Sequence, residues 1–298
     1  MAALALAPAP PRPRLLVCTP DKRAGLHVPL LKTLYQTVSA YYTDGCFALQ
    51  TCLGSMQSYK RRVIQADDAK KTREYLQATG TMIYSHAPYI LNLAKEDNKA
   101  VIAALQEETD QMTKIGGRTV VHIGSGGKID DVVATLKAVR FRRHSLLIEN
   151  AAGEKNKLGS SLEEIREIVE AVDGLGVCLD TAHAYGAGLC RFDSKKEVDA
   201  FFKETEPFAE SLLLLHLNDS KVPFAAHSDR HEDLEKGHIW GVGERGEDGK
   251  WPTSRDIQHP GLKYLIEATL SREIDIVLET KSPIEDSKKV KRLIYGRV

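Results

Sequence analysis

The sequence predicts an α/β fold, a single (β/α)8 TIM barrel with a metal site at the carboxyl-terminal face of its strands. Short aliphatic or β-branched runs alternate eight times with segments of helical spacing along the 298 residues. The runs are almost continuously apolar, which is typical of parallel strands that are buried on both faces. Because eight strand–helix units are the number that closes a barrel, one large domain accounts for the whole pattern.

The predicted strands and helices follow one another without an obvious domain boundary. The strands are RLLVC at 14–18, CFALQ at 46–50, TMIYSH at 81–86, RTVVHI at 118–123, SLLIEN at 145–150, LGVCLD at 175–180, LLLLHL at 212–217 and IDIVLE at 274–279. The helices are predicted at about 27–41, 66–79, 97–115, 129–140, 160–173, 194–209 and 260–270, with a short basic segment after 284. Ser160 or Ser161 is expected to cap the fifth helix, because Glu163 and Glu164 follow in its first turn. An open, doubly wound sheet is the alternative, although no Gly-rich fingerprint follows the first strand.

Composition narrows the class of protein further. With 42% hydrophobic and 28% charged residues, the chain has the composition of a globular protein and not that of a disordered chain, a collagen or a coiled coil. No apolar run reaches the roughly eighteen residues of a membrane helix. The opening residues lack the charged start and long apolar stretch of a signal peptide. We therefore expect a flexible Ala/Pro-rich tail at 1–14, a barrel at 15–298, and a soluble intracellular monomer in the cytoplasm or nucleus.

Cysteine usage and net charge exclude other classes. The five cysteines are an odd number, scattered without a C-x-x-C pair, so reduced thiols are expected and a zinc finger is not. Lys plus Arg and Asp plus Glu are equal at 41 each. The total charge therefore gives no sign of a polyanionic partner. The longest stretch without a predicted element, 217–259, is long enough to indicate a functional loop.

Residue types that bind metals stand at the carboxyl ends of six consecutive predicted strands. They are, in order, His86, His122, Glu149, Asp180, His216 and Glu279. In a barrel these positions share one face, where the βα loops form the active site. A single such residue is more often structural, but buried strands avoid charge unless it is paired or bound to a metal, and six together favour a metal site.

Two further pairs extend this set to nine candidates. Asp180 and His183 are three residues apart where the sixth strand ends, and one helical turn would bring both to the same side. Asp229 and His231, in the long loop, share a face if the backbone is extended. Nine ligands, one of them a shared carboxylate, indicate two or three ions, and Glu149 or Asp180 is best placed to bridge two of them.

Other polar residues receive different expectations. The remaining histidines are expected to be solvated or to lie outside the ligand set: His27, His144, His227, His238 and His259. The loop after the second strand carries Tyr59, Lys60, Arg61 and Arg62 on the predicted metal face. Three consecutive bases are usually a solvated surface, but beside a phosphodiester-cleaving centre they are candidate contacts to a nucleic-acid backbone. If the centre acts on DNA, Tyr89 is a further candidate contact.

Several blocks together resemble the endonuclease IV family of apurinic/apyrimidinic endonucleases. They are SHAPYILNLA, VVHIGSGG, LLIENAAGEKNKLGSSLEEI, GVCLDTAHAYGAG, LLLLHLNDSK, SDRHEDLEKGHIW and IVLETKSP, from about residue 81 to 282. The succession of LDTAH, HLND and DRHE is the most specific part. The family's usual Gly-Ala-His-Val start of the first strand is taken to correspond here to LLVCTPD, and 241–256 is taken as an extra polar excursion.

The resemblance implies a trinuclear zinc centre that hydrolyses duplex DNA 5′ to abasic sites in base-excision repair. It implies three Zn²⁺ per chain, with Mn²⁺ as an alternative at one site. His86, His122 and Glu149 would hold the first ion, and Glu149, Asp180, His216 and Glu279 the second. His183, Asp229 and His231 would hold the third. Glu149 and Glu279 would be catalytic, because they organise the hydroxide that attacks the phosphate.

A metal-dependent sugar isomerase or epimerase on the same barrel is the alternative enzyme class. Such sites commonly need only one or two ions. The Asp229 and His231 pair, and with it a third site, distinguishes the two classes. A binding module without enzymatic activity would not require so many buried carboxylates.

Overall fold

The computed structural model describes residues 23–42, 46–96, 98–243 and 254–295. Its central feature is a closed parallel barrel, ordered β1-β10-β7-β6-β5-β4-β3-β2. The barrel strands are β1 (Ala24–His27), β2 (Ala48–Thr51), β3 (Met82–His86), β4 (Arg118–His122), β5 (Leu146–Glu149), β6 (Gly176–Asp180), β7 (Leu212–Leu217) and β10 (Asp275–Leu278). Two short strands, β8 (Asp219–Ser220) and β9 (His231–Glu232), form a separate antiparallel hairpin. The predicted (β/α)8 barrel is confirmed, and because β1 pairs with both β2 and β10, an open sheet is excluded.

Helices connect the barrel strands. They are α1 (Leu34–Tyr42), α2 (Ala66–Thr79), α3 (Lys99–Ile115), α4 (Ile129–Lys137), α5 (Leu162–Ala171), α6 (Thr181–Gly186), α7 (Lys195–Glu204), α8 (Pro260–Ser271) and α9 (Pro283–Tyr295). Ser161 is the residue that caps α5, and its hydroxyl accepts the backbone N–H of Glu164 at 3.2 Å. No helix in the described ranges is both long enough and apolar enough to cross a bilayer.

The first strand lies further along the chain than the sequence predicts. The predicted strand at 14–18 lies outside the described residues, and the first barrel strand is Ala24–His27. The predicted helix at 27–41 therefore begins too early, because α1 starts at Leu34. Gly25 weakens the apolar signal of this strand, yet a Cβ atom there would lie 1.7 Å from the carbonyl oxygen of Ala48. Close packing of β1 against β2 thus requires glycine at position 25, and the same glycine makes the strand hard to recognise from the sequence.

Side chains fill the interior of the barrel. Seven of the eight barrel strands, all but β1, each contribute one buried residue to an inner cluster. These residues are Ala48, Tyr84, Val120, Leu147, Cys178, Leu214 and Val277. Tyr84 donates its hydroxyl hydrogen to Asp275 at 2.6 Å, near the amino-terminal end of the strands. Because this end is packed, polar side chains have room to gather only at the carboxyl ends.

The long connection after β7 is more ordered than the sequence indicates. The hairpin of β8 and β9 is extended by a backbone hydrogen bond from Lys221 to Arg230 at 2.8 Å. Further along, Trp240 is buried and donates its indole N–H to the carbonyl oxygen of Phe192 at 2.9 Å. Most of the predicted polar excursion at 241–256, from 244 to 253, lies outside the described residues.

Candidate metal centre

The barrel brings the nine sequence-predicted ligands together at the carboxyl ends of its strands. Four of them are the last residue of their strand: His86, His122, Glu149 and Asp180. His216 lies one residue before the end of β7, and Glu279 directly follows β10. The strand register aligns them, since His122 pairs with Glu149 on the adjacent strand and Asp180 pairs with His216. The predicted convergence on one face is thus observed.

The first group of potential ligands consists of His86, His122 and Glu149, all buried. The Nε2 atoms of His86 and His122 lie 3.1 and 3.6 Å from Glu149 Oε2. Burial lowers the pKa of His122 to about 3, although the Glu149 carboxylate favours its protonation. His122 is therefore neutral at pH 7 and has a lone pair available for a metal.

The second group shares Glu149 with the first and adds Asp180, His216 and Glu279. Nδ1 of His216 lies 3.0 Å from Glu149 Oε1 and 3.2 Å from Glu279 Oε2. The two oxygens of Glu149 thus face different groups, Oε2 the first and Oε1 the second. The sequence predicts that Glu149 or Asp180 bridges two ions, and a carboxylate whose oxygens face two groups could do so.

The third group is formed by His183, Asp229 and His231. Asp229 Oδ1 lies 3.2 Å from His183 Nε2 and 3.1 Å from His231 Nε2, and the two histidine nitrogens are 3.4 Å apart. Asp180 caps α6 by accepting the backbone N–H of His183 at 2.8 Å. The predicted helical turn between Asp180 and His183 is present, and His231 lies on the extended strand β9.

The donor atoms fit divalent metal ions. Four ligands at the Zn–N and Zn–O lengths of about 2.0–2.1 Å stand roughly 3.3–3.4 Å apart in a tetrahedron. Within each of the first two groups the donor atoms all lie within 4.8 Å of one another, with His216 and Glu149 at 3.0 Å and His122 and Glu149 at 3.6 Å. The groups therefore have the size and the nitrogen and oxygen donors of metal sites.

Three of the histidines are oriented by hydrogen bonds on the side away from the groups. Nδ1 of His86 donates to the carbonyl oxygen of Ala87, and Nδ1 of His183 donates to that of Asn150, both at 2.9 Å. Nε2 of His216 donates to the Gln50 side-chain oxygen at 2.9 Å. In each ring the other nitrogen faces a carboxylate, which is the tautomer and direction that a metal ligand requires.

The carboxylates change the proton affinity of the histidines. Burial alone would lower the pKa of His86 and His231, but contacts with Glu149, and with Asp180 and Asp229, reverse the shift and raise both pKa values to about 9. Burial would raise the pKa of Asp229, yet its bonds to the two histidines hold that pKa below its ordinary value. Metal ions that bind here would therefore displace protons.

Two polar residues at the site were missed by sequence reasoning. His27 is expected on a solvated helix, but it ends β1, and its Nδ1 lies 3.2 Å from Glu279 Oε1. Burial would lower the pKa of His27, but Cys52 and Glu279 raise it to about 10. Gln50 on β2 donates to Glu279 Oε1 and, as described above, accepts from His216. A correct position for β1 would have placed His27 at a strand end with the other candidates.

The other histidines lie outside the three groups. His227 and His238 are exposed on the loop that carries Asp229 and His231. His144 is half-buried in the turn before β5, and His259 caps α8 by accepting the N–H of Gly261 at 3.2 Å. None of these four side chains belongs to the three groups, but His144 lies in a turn and not on a helix, and neither it nor His259 is fully solvated.

The expected DNA contacts differ in exposure. Tyr89 is 60% exposed, and its ring centre lies 5.4 Å from that of His86 and 5.1 Å from that of His122. Tyr59 and Lys60 are exposed on the connection between β2 and α2. These three side chains therefore remain available to a ligand at the carboxyl face.

The two arginines of the same connection are engaged within the protein. Arg62 is exposed, but its guanidinium donates to the carbonyl oxygens of Leu31, at 2.8 Å, and Lys32. Arg61 is only 4% exposed. The expectation that Arg61 contacts a DNA backbone is therefore wrong in this structure, because the connection folds around its side chain. A run of three bases does not reveal which of them points inward.

Comparisons with known proteins define the class of the chain. Residues 44–242 match the family described as "Xylose isomerase-like TIM barrel". A "Probable endonuclease 4" of Aquifex aeolicus is 30% identical over 272 residues, covering 85% of this chain and 94% of the relative. The chain belongs to the xylose isomerase-like TIM barrels. Its buried clusters of His, Asp and Glu are able to hold metal ions.

Solved structures agree with this relationship. The crystal structure of endonuclease IV from Thermus thermophilus has a TM-score of 0.75 and 28% identity, covering 91% of this chain and 97% of that one. A D-tagatose 3-epimerase-like protein has a TM-score of 0.61 at 16% identity, a likeness that shows the fold alone. Within its class, the chain is a member of the endonuclease IV family, the apurinic/apyrimidinic endonucleases that hydrolyse phosphodiester bonds in DNA.

Proposed function

We propose that this chain uses a trinuclear zinc centre to hydrolyse the phosphodiester bond 5′ to abasic sites in duplex DNA, leaving a 3′-hydroxyl. The observation that carries the proposal is the pair of oxygens on Glu149, which face two separate ligand groups while Asp229 joins a third. One or two ions would leave the third group without a role. A site for three ions uses all nine side chains.

The ligand assignment follows the three groups. His86, His122 and Glu149 hold the first ion, Glu149, Asp180, His216 and Glu279 the second, and His183, Asp229 and His231 the third. When bound, such ions supply an activated water at neutral pH and positive charge for the phosphate and the departing oxygen. Glu149 and Glu279 act as the catalytic carboxylates, since they face the same His216 nitrogen and fix the position of the reacting centre.

The protein's own residues orient this machinery. His27 and Gln50 both contact Glu279 Oε1, so that Oε2 is turned toward His216. Tyr89, next to the first group, offers an exposed ring to an abasic nucleotide, which has no base to stack on its neighbours. Lys60 supplies positive charge for the DNA backbone on a chain of formal net charge +0.

The test is a duplex that carries one abasic analogue and a 5′ label. We expect the purified protein to contain about three divalent ions per chain, mostly zinc, and to nick the duplex 5′ to the analogue. Asp229→Ala together with His231→Ala should lose about one ion and most of the activity. His238→Ala is the matched control, an exposed histidine on the same loop, and should retain both.

Two outcomes would overturn the proposal. One is an ion content near one per chain in the active protein. The other is a protein that leaves abasic DNA intact but interconverts a ketose and an aldose at a rate that the double variant retains. Circular dichroism of the double variant shows whether the barrel remains folded, as expected for residues outside the barrel strands.

A further inference from the structure

We propose that Arg61 is a positioning residue, which together with Glu108 fixes the shape of the connection between β2 and α2 so that Tyr59 and Lys60 face the DNA. We call residues 53–62 the guanidinium loop. The proposal rests on the proposed function for its DNA arm, whereas the shape of the loop is measured in the free protein.

The guanidinium of Arg61 lies inside the loop and hydrogen-bonds to its backbone. It donates to the carbonyl oxygens of Ser55, at 2.7 Å, of Ser58, and of Tyr59, at 3.4 Å. These three carbonyls belong to a segment without helix or strand. One planar side chain therefore satisfies backbone acceptors that regular secondary structure would otherwise satisfy.

The backbone of the loop closes tightly around this side chain. The N–H of Arg62 donates to the carbonyl oxygen of Leu53 at 2.7 Å and joins the two ends. A Cβ atom at Gly54 would lie 2.8 Å from the carbonyl oxygen of Lys60 and 3.3 Å from Arg61 Cζ. The loop is thus shaped to the guanidinium, with glycine where the approach is closest.

Glu108 on α3 forms an ion pair with the guanidinium of Arg61. Its Oε2 lies 3.7 Å from Arg61 Nε, and both side chains are fully buried. Loss of Glu108 would leave the buried guanidinium of Arg61, which is always charged, without its counter-charge, and this is destabilising. A second contact from α3 holds the following residues, because Gln111 accepts the N–H of Ile64 at 3.0 Å. The loop and the residues that directly follow it are therefore each tied to α3.

The loop presents its contacts outward while Arg61 points inward. Tyr59 is 40% exposed, and Lys60 is exposed beside it. Since the carbonyl of Tyr59 accepts from Arg61, the backbone at Tyr59 is fixed by the guanidinium. Disturbing Arg61 should weaken DNA binding and leave the metal ligands, which lie on other segments, in place.

The experiment compares three variants with the wild type as metal-loaded proteins. Arg61→Lys keeps the positive charge but lacks the planar guanidinium, whose separate nitrogens reach the carbonyls of Ser55, Ser58 and Tyr59. Arg61→Met combined with Glu108→Met removes the pair and leaves no unpaired charge, which preserves folding if Arg61→Lys does not. Arg73→Lys is the matched control, because Arg73 is an exposed arginine whose guanidinium donates to the carbonyl oxygen of Lys114.

Three measurements are made on each protein: metal content, steady-state cleavage of the abasic duplex, and the rate of chymotryptic cleavage after Tyr59 in the free protein. In Arg61→Lys and the double variant we expect KM to rise about tenfold or more and kcat to change by less than about threefold. Chymotryptic cleavage should accelerate about tenfold, with metal content unchanged. Arg73→Lys should match the wild type.

Wild-type KM and chymotrypsin resistance in Arg61→Lys would overturn the proposal, because a lysine would then replace the arginine as a simple charge. Equal losses of kcat and metal in the variants would also overturn it, since they indicate general destabilisation. If the wild type fails to cleave abasic DNA, the proposed function fails. The chymotryptic comparison then still decides whether Arg61 shapes the loop.

Discussion

Replacing Asp219 with alanine should remove the third metal site without unfolding the barrel. The Asp219 carboxylate is fully buried and organises the loop that carries Asp229 and His231. It accepts three backbone N–H groups, from Ser220 at 2.8 Å, Ile239 at 3.0 Å and Gly237 at 3.1 Å.

The magnitude follows from these three bonds. Alanine leaves the buried N–H groups of Ser220 and Ile239 and the partly buried N–H of Gly237 without an acceptor, at about 1 kcal/mol each, so about 3 kcal/mol is lost from the loop. Total stabilities of about 5–15 kcal/mol leave the barrel folded. Asp219→Asn retains one acceptor oxygen, Oδ1, which receives Ser220 and Ile239 in the structure. It should therefore lose less than the alanine variant.

The assay combines metal analysis with cleavage of the abasic duplex. Asp219→Ala should bind about one ion fewer and lose about a hundredfold or more in kcat, since the proposed function assigns an ion to the third group. Asp173→Ala is the control, because the Asp173 side chain is fully exposed. If Asp219→Ala kept its full ion content and activity, the proposed link between the loop and the third site would be refuted.

Four further expectations concern catalysis, pH, salt and backbone strain. Glu279→Gln should lower the rate of single-turnover cleavage about a hundredfold or more and change the Kd for abasic DNA by less than about threefold. The proposed metal ligand would act mainly in the transition state. Near wild-type cleavage would contradict the catalytic role of Glu279. Burial raises the pKa of Glu108 to about 7, although Ser85 and Arg61 favour its charged form. Its folded pKa thus exceeds its ordinary value, so stability should fall by up to about 3 kcal/mol between about pH 4.5 and 7, and urea titrations of Glu108→Gln should lack this slope. Binding of abasic DNA should weaken steeply with salt and after chelation, and equal affinity of the metal-free and metal-loaded forms would count against the bound ions as its cause. Ala225 has φ 57°, so Ala225→Gly should raise the unfolding free energy by about 0.5–1 kcal/mol, and a lower Tm would contradict this.

The convergence of the candidate ligands could be predicted because a barrel fixes where the last residue of each strand lies. Once a strand is recognised, its last residue lies at the carboxyl face, and this held for His86, His122, Glu149 and Asp180. His27 is also the last residue of its strand, but the sequence predicts the first strand at 14–18, because Gly25 interrupts the apolar pattern of β1.

Other features depend on packing that a local pattern does not contain. Gln50 is a neutral amide on an apolar strand, and nothing near it in the sequence indicates that it orients His216. Arg61 and Arg62 look alike, and only the position of Glu108 on α3, 47 residues from Arg61, selects the one that is buried. The hairpin after β7 could not be predicted because each of its strands has only two residues. A segment of two residues is too short to show a periodicity.

The register of β5 has a consequence for how this centre can change. Glu149 pairs with His122 on one side and with Cys178 on the other, and Asn150 follows it. Since successive side chains of a strand point to opposite faces, an insertion or deletion of one residue within β5 would turn Glu149 away and bring a neighbour into its place. Both ligand groups that share Glu149 would then lose it together, while the apolar pattern of the barrel was preserved elsewhere. A change in the length of this one strand would therefore disturb two ligand groups at once, whereas a change in the loop after β7 would disturb the third.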